Sequence, residues 1–372
     1  PSPSTLLTSP LPFPPTAPPS LYQHYLQHTH RTLSLTRIST ATVHINIPFL
    51  ASTSPPIFHA LLAVSATSLA WTMLSASPPA SIATVKAAML TGYRHYNLAS
   101  AAMRCALADQ AQEALVASVV LVPFAAGSQQ VNHWLSKQRG EETGVLVSTP
   151  RDVIVLVRGI RAMLRPLGYV DLHTEPNWMA GMGLGRAESR AHVMSEVIAS
   201  TSAVAFEVLR GRLEALEKEE PALDATFEIL ETIRKGTVNA PEGDAAAEMK
   251  MHPKEPRTRN FLTFLSQVPQ DYLDIVLPLL DQRLESPVYA SPATLTPAQA
   301  LALDIYAHWS VLMFLVGDES WFIGDLPVVT LKGMINRYGE SFAERPCFED
   351  ATEKKWWPMS MLRIWEDVKS YR

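Results

Sequence analysis

The chain has 372 residues, of which 47% are hydrophobic and 18% charged, and a net charge of −5. That length allows one large domain or two ordinary ones with an ample core, and the weakly acidic balance argues against binding nucleic acid through the overall field. Two cysteines, Cys105 and Cys347, are too few for a disulfide framework or a cysteine zinc site, and fit a reducing compartment.

Residues 1–20, PSPSTLLTSPLPFPPTAPPS, are too rich in Pro, Ser and Thr for helix or sheet and read as a linker. They lack the basic and apolar regions of a signal peptide. The missing initiator Met leads to an expectation of further sequence upstream. Ser20 is placed to cap a helix running to about Leu35. Residues 38–85 then pass without a single Lys, Arg, Asp or Glu. Inside this stretch the run 57–74 is apolar and close to the roughly 20 residues a membrane span needs. It carries His59, Ser65, Thr67 and Ser68 and has no flanking basic anchors, so a buried helix is expected and no membrane span.

Further helices are expected over 81–108 and 110–126, the second with Leu115, Val119 and Val122 among its apolar positions. A loop around 127–147 follows. Pro150 opens a helix with Val153, Leu156, Val157, Ile160 and Leu164 at spacings of three and four, closed by Pro166-Leu167-Gly168. Residues 188–217 form a long amphipathic pattern, and the charge-rich 214–235, broken at Pro221, suggests an exposed helical pair. Residues 237–260, with Pro241, Gly243, Pro253 and Pro256, are expected to be a mobile loop. Helices resume at 269–284 and 297–316, then 328–338 after a Trp/Gly segment, and the chain closes on a helix from Trp356 with Met361, Ile364, Trp365 and Val368. Strand signals are sparse. The expected fold class is all-α, a single multi-helix domain over 21–372 with about a dozen helices behind the Pro-rich start.

Two blocks, Ile47-Pro48-Phe49-Leu50-Ala51 and Phe58-His59-Ala60-Leu61-Leu62-Ala63-Val64-Ser65-Ala66, carry a family resemblance. Tyr96, Ala99, Ala106 and Leu107 follow in order, then Leu156-Val157-Arg158-Gly159-Ile160, Trp309, and Glu319-Ser320-Trp321-Phe322-Ile323-Gly324. From about Tyr22 to the end, the chain resembles the C-terminal regulatory domain of fungal zinc binuclear-cluster transcription factors of the sterol-uptake-control type. The resemblance implies an all-α, ligand-responsive domain in the nucleus and cytoplasm. DNA would be reached only through an upstream six-cysteine zinc cluster that this chain does not contain.

Other constellations carry less. His24, His28 and His30 lie near metal-ligand spacing but have no acidic ligand, so no metal is expected. Gly181-Met182-Gly183-Leu184-Gly185 has Arg186 where a dinucleotide loop needs glycine and reads as a flexible loop before the 188–217 helix, with a lid over a pocket, carrying Trp178 and Met182, as the second reading. Asp171 with His173, and Asp318 with Glu319, are polar loop pairs, and no catalytic residue is assigned. The basic run 254–259 reads as a solvated loop.

Trp309, Met313 and Phe314 are expected on one face of a helix, with Trp321 and Phe322 following within a turn bounded by Gly317 and Gly324. Met adapts to irregular apolar shapes, and pockets of helical proteins lie between helices. The expected function is a ligand-sensing regulatory domain that binds a sterol-like or other apolar metabolite. The ligand would sit between the 57–74 helix and the 301–316 helix, with a flexible segment 317–324 closing over it. The expected lining is Phe58, His59, Leu62, Trp178, Met182, Trp309, Met313, Phe314, Trp321 and Phe322. No cofactor is expected, and a homodimer is possible. The alternative is a natural-product enzyme of cyclase or isomerase type on the same scaffold, and a third reading is a structural dimerisation module.

Overall fold

The computed structural model describes residues 19–33, 42–107, 109–138, 151–164, 190–216, 220–238, 262, 264–280, 295–317, 320–339, 342 and 356–370. Among these are thirteen helices and no strand, so the all-α class holds. The order is α1 (Pro19–Gln27), a 3-10 turn (Thr29–Thr32), a π turn (Thr42–Asn46), α2 (Ile47–Ala51), α3 (Pro55–Ser75), α4 (Ile82–Ala106), α5 (Ala111–Gln138) and α6 (Arg151–Leu164). Next come α7 (Arg190–Glu214), α8 (Pro221–Val238), helical residues at 264–267, α9 (Gln270–Leu280), α10 (Pro297–Leu312) with a 3-10 turn (Met313–Leu315), α11 (Leu326–Tyr338) and α12 (Trp357–Ser370). The chain divides into two compact units, Pro1–Gly127 with Gly159–Met182, and Ser128–Arg158 with Gly183–Arg372.

The first unit is built on α3. Pro55 and Pro56 open it, because proline's fixed φ suits a first turn whose N–H groups have no helical acceptor. Its apolar residues are not confined to one stripe, so several neighbours bury it at once. Ile57, Leu61, Leu62 and Val64 have no exposed surface. Each such side chain contributes about 1.5–3 kcal/mol on burial. Ser81 caps the next helix, accepting from the Thr84 N–H, and α4 then lies along α3. Gly92 permits the close approach: a Cβ there would meet the Phe124 ring at 3.2 Å and Ala66 Cβ at 3.4 Å. Helix α1 docks through buried Leu21, Tyr22 and Tyr25, and Ser65 donates to the Leu21 carbonyl at 2.7 Å.

The second unit is organised on α10. Thr296 and Gln299 form a reciprocal capping box at its start, and every residue from Ala300 to Leu312 is buried. Helix α12 runs parallel to it: Trp356 meets Asp304, Trp357 stacks on His308, and Trp365 stacks on Phe314. Helix α7 joins α8 through Phe206 and Phe227, whose ring centroids are 6.1 Å apart.

Three sequence expectations change. The loop foreseen from 127 is helix as far as Gln138, because Ala125 to Val131 are all buried and tertiary packing overrides the weak helix propensity of Gly127. The foreseen exposed pair at 214–235 is one helix from Pro221 with a core face, Leu223, Phe227, Leu230 and Ile233. The first helix ends at Gln27 and is followed by a 3-10 turn instead of reaching Leu35. The linker, apart from Pro19 and Ser20 in α1, and the loop expected at 237–260, apart from the end of α8, lie outside the described residues.

The sequence singled out one apolar run of membrane-spanning length. The structure contains three helices long and apolar enough by length and composition: Pro55–Ser75, Ala111–Gln138 and Pro297–Leu315. Helix length therefore does not support the expectation of no membrane span.

Candidate functional site

In the first unit, Phe58, His59 and Leu62 occupy successive turns of α3. Leu62 is fully buried, and the Phe58 ring lies 6.3 Å from Tyr22 and 5.5 Å from His59. The His59 Nδ1 is 3.2 Å from Nδ1 of His95 on α4. Burial pushes the His59 imidazole below its usual range. His95 is pushed down to about 4, first by burial, then by His59 and Arg94.

In the second unit, Trp309 stacks on Phe264 at 5.2 Å and tilts against Tyr306 at 5.0 Å. Met313 is 2% exposed. Phe314 stacks on Trp365 at 5.0 Å. Trp309 and Phe314 thus meet different partners. They are five residues apart, and the helix tightens to 3-10 winding at Met313, so they do not share one face. Trp178, Met182, the 181–185 glycines, Asp171, His173, Asp318, Glu319 and the basic run 254–259 lie outside the described residues.

Two indole N–H groups in this unit, those of Trp309 and Trp365, are buried with no acceptor. The Gln129 amide nitrogen and oxygen and the Ser202 hydroxyl are likewise buried with no hydrogen-bond partner. A buried polar atom without a hydrogen-bond partner forfeits about 1–3 kcal/mol of hydration.

The turn carrying Trp321 and Phe322 is fastened. The Gln130 amide donates to the Trp321 carbonyl at 3.1 Å and to the Phe322 carbonyl at 2.6 Å, and accepts from the Asp325 N–H at 2.9 Å. Gly324 adopts φ +29°, and a Cβ there would lie 2.6 Å from Gln130 Oε1. The part of the expected lid from Ser320 to Gly324 therefore has its backbone secured to α5.

A buried polar centre went unnoticed in the sequence. Asp304, 1% exposed, forms an ion pair with Arg212, accepts from the Trp356 indole N–H at 2.7 Å and lies 3.1 Å from His308 Nδ1. Burial raises the Asp304 pKa, but His308, Arg212 and Trp356 outweigh it and hold the carboxyl below its usual value. The available signal was an acid four residues before a histidine in an otherwise apolar helix. Arg158, within the family-like block 156–160, donates to the carbonyls of Ser266 at 3.1 Å and Val268 at 2.9 Å and to the Gln270 side chain.

Among the described residues no group of three or more His, Cys, Asp and Glu side chains is arranged to hold a metal. Comparison of the chain with family models, curated proteins and solved structures finds no match. The family resemblance accordingly rests on the residues that carry it.

Proposed function

We propose that this chain is the ligand-sensing regulatory part of a transcription factor of the fungal binuclear-zinc-cluster type, acting in the nucleus and cytoplasm, with a largely apolar, sparsely oxygenated metabolite as its ligand. The observation that carries the reading is the buried, acceptor-free indole N–H of Trp309 on the aromatic side of α10, joined by that of Trp365. A sterol-like molecule offers a large apolar surface and one or two oxygen atoms. That composition satisfies isolated buried donors without introducing charge. The ordered motifs support the same reading, since Pro48 and Ala51 are buried on the turn into α3 and Arg158 ties α6 to the chain before α9. We take the three long apolar helices as core elements and not as membrane spans, because two thirds of the α3 window and more than four fifths of the other two are buried within the protein. Ligand controls output only by binding two states of the domain with different affinity.

The test is saturable binding and thermal stabilisation of the full chain with a panel of sterols and apolar metabolites. Trp309→Phe is expected to weaken an oxygenated ligand by about fivefold, the worth of one hydrogen bond of ~1 kcal/mol, and to leave its deoxygenated analogue unchanged. No saturable binding across the panel defeats the proposal. The buried Asp304–His308 pair favours the second reading, an enzyme acting on apolar natural products, because a carboxylate orienting an imidazole is an acid–base arrangement. Turnover of such a substrate that is lost in His308→Gln would select that reading.

A further inference from the structure

Six of the eleven histidines fall between His24 and His95, within the first unit. One pair differs from the rest in geometry. His59 and His95 have Nδ1 atoms 3.2 Å apart, ring centroids 5.3 Å apart and ring planes 25° apart. The centroid separation is almost the N···N distance plus the reach of the two rings. The imidazoles therefore meet edge to edge, with the two nitrogens nearly in line between them.

A neutral imidazole has one N–H and one lone pair, and which nitrogen carries the proton is free to change. With a proton on one Nδ1 the pair makes an N–H···N bond. With both protons on Nε2, two lone pairs point at one another along a line. Two opposed lone pairs are the donor set of a two-coordinate, soft, monovalent d10 ion. Zn(II) takes four ligands in structural sites and at least three from the protein in catalytic ones, and the described residues bring no third ligand to the pair. Imidazole suits copper, and Cu(I) accepts low coordination numbers. Among the described residues, His59 and exposed Arg94 are the charges that act on His95, with no carboxylate among them, which disfavours a divalent ion. Metal–imidazole bonds of ~2.0 Å place opposed nitrogens about 4 Å apart, so the rings need to separate by about 0.8 Å. His59 is only half-buried, which leaves it room to turn.

We propose that His59 and His95 together bind one Cu(I) ion in linear two-nitrogen coordination, fastening α3 to α4. No electron is transferred. The ion replaces the hydrogen bond while the shared proton moves to Nε2, so no proton is released.

The experiment uses the full chain with Ag(I) as an air-stable probe, and Cu(I) supplied anaerobically in competition with a chromophoric chelator. Exposed Cys105 and the second cysteine also take such ions, so the measurement is made on C105S/C347S. One equivalent is expected to bind. His59→Phe is expected to abolish it while helical circular dichroism is retained. X-ray absorption on the copper-loaded protein is expected to show two nitrogen neighbours and no sulfur, a readout that does not depend on any histidine variant folding. Failure to bind, binding that survives His59→Phe, or a sulfur shell each overturns the assignment.

Discussion

Gln130 on α5 holds the backbone of Phe322, 192 residues further along the chain, through a 2.6 Å hydrogen bond to its carbonyl. The same amide also engages Trp321 and Asp325, so one side chain closes three backbone groups of a single turn. Gly317 and Gly324 approach closely at the two ends of this segment: a Cβ on Gly317 would lie 3.2 Å from the Gly324 carbonyl oxygen.

Replacing Gln130 with Leu keeps the volume and removes all three bonds. Two carbonyls and an N–H lose their partner, with an expected loss of about 1–3 kcal/mol in denaturant unfolding. Amide exchange across 320–325 is expected to accelerate selectively. Gly324→Ala is expected to destabilise as well, since its Cβ collides with the same amide and its φ is positive.

The Asp304 centre predicts a larger effect. Asp304→Ala leaves Arg212, whose side chain is 12% exposed, charged and without its buried carboxylate. Breaking one side of a buried pair costs about 3–5 kcal/mol. Chemical denaturation is expected to show a loss in that range, and an Arg212→Met/Asp304→Leu double variant is expected to recover much of it.

Acid titration of stability is expected to show two separate windows. His95 titrates near 6.5 in the unfolded chain and near 4 in the folded one, so the unfolded state binds more protons between those values. Stability is therefore complete above about pH 6.5 and falls as pH drops towards 4. His59 shifts in the same direction. Asp304 acts at lower pH: its folded carboxyl lies below its ordinary 3.8, so its contribution is present above that value and is lost as pH falls through the folded pKa. Replacing His95 with Phe is expected to flatten the upper window and leave the lower one in place.

Gly92→Val tests the packing of α3 against α4. The added methyl groups start from a Cβ already 3.2 Å from the Phe124 ring and 3.4 Å from Ala66 Cβ. Overpacking of this kind costs about 1–3 kcal/mol. A midpoint shift in denaturant with an unchanged m-value is the expected signature; no shift would show that α4 is free to move aside.

Local physics made much of the fold legible. Proline pairs, capping residues and spacings of three and four residues place α3, α4, α6, α10 and α12 within a few positions of their observed bounds, because those signals act over one or two turns. The extension of α5 through Gly127 to Gln138 was not legible, because what keeps it helical is burial against residues distant in sequence. The aromatic residues Phe58, Trp309, Phe314 and Phe322 were legible as a set, but their partners were not. A residue's type states what it can contact, and only packing states what it does.

The sequence by itself determined that this chain is all-α and that its charge-free stretch 38–85 contains a long apolar helix. Those outcomes follow from hydrophobic periodicity and from the cost of exposing apolar surface, both properties of short segments. Only the tertiary structure decided that His59 meets His95, that Gln130 fastens the Trp321–Phe322 turn, and that Asp304 finds Arg212, His308 and Trp356. A hydrogen bond or ion pair depends on atoms meeting within a few tenths of an ångström, and that register is set when separate helices pack against one another.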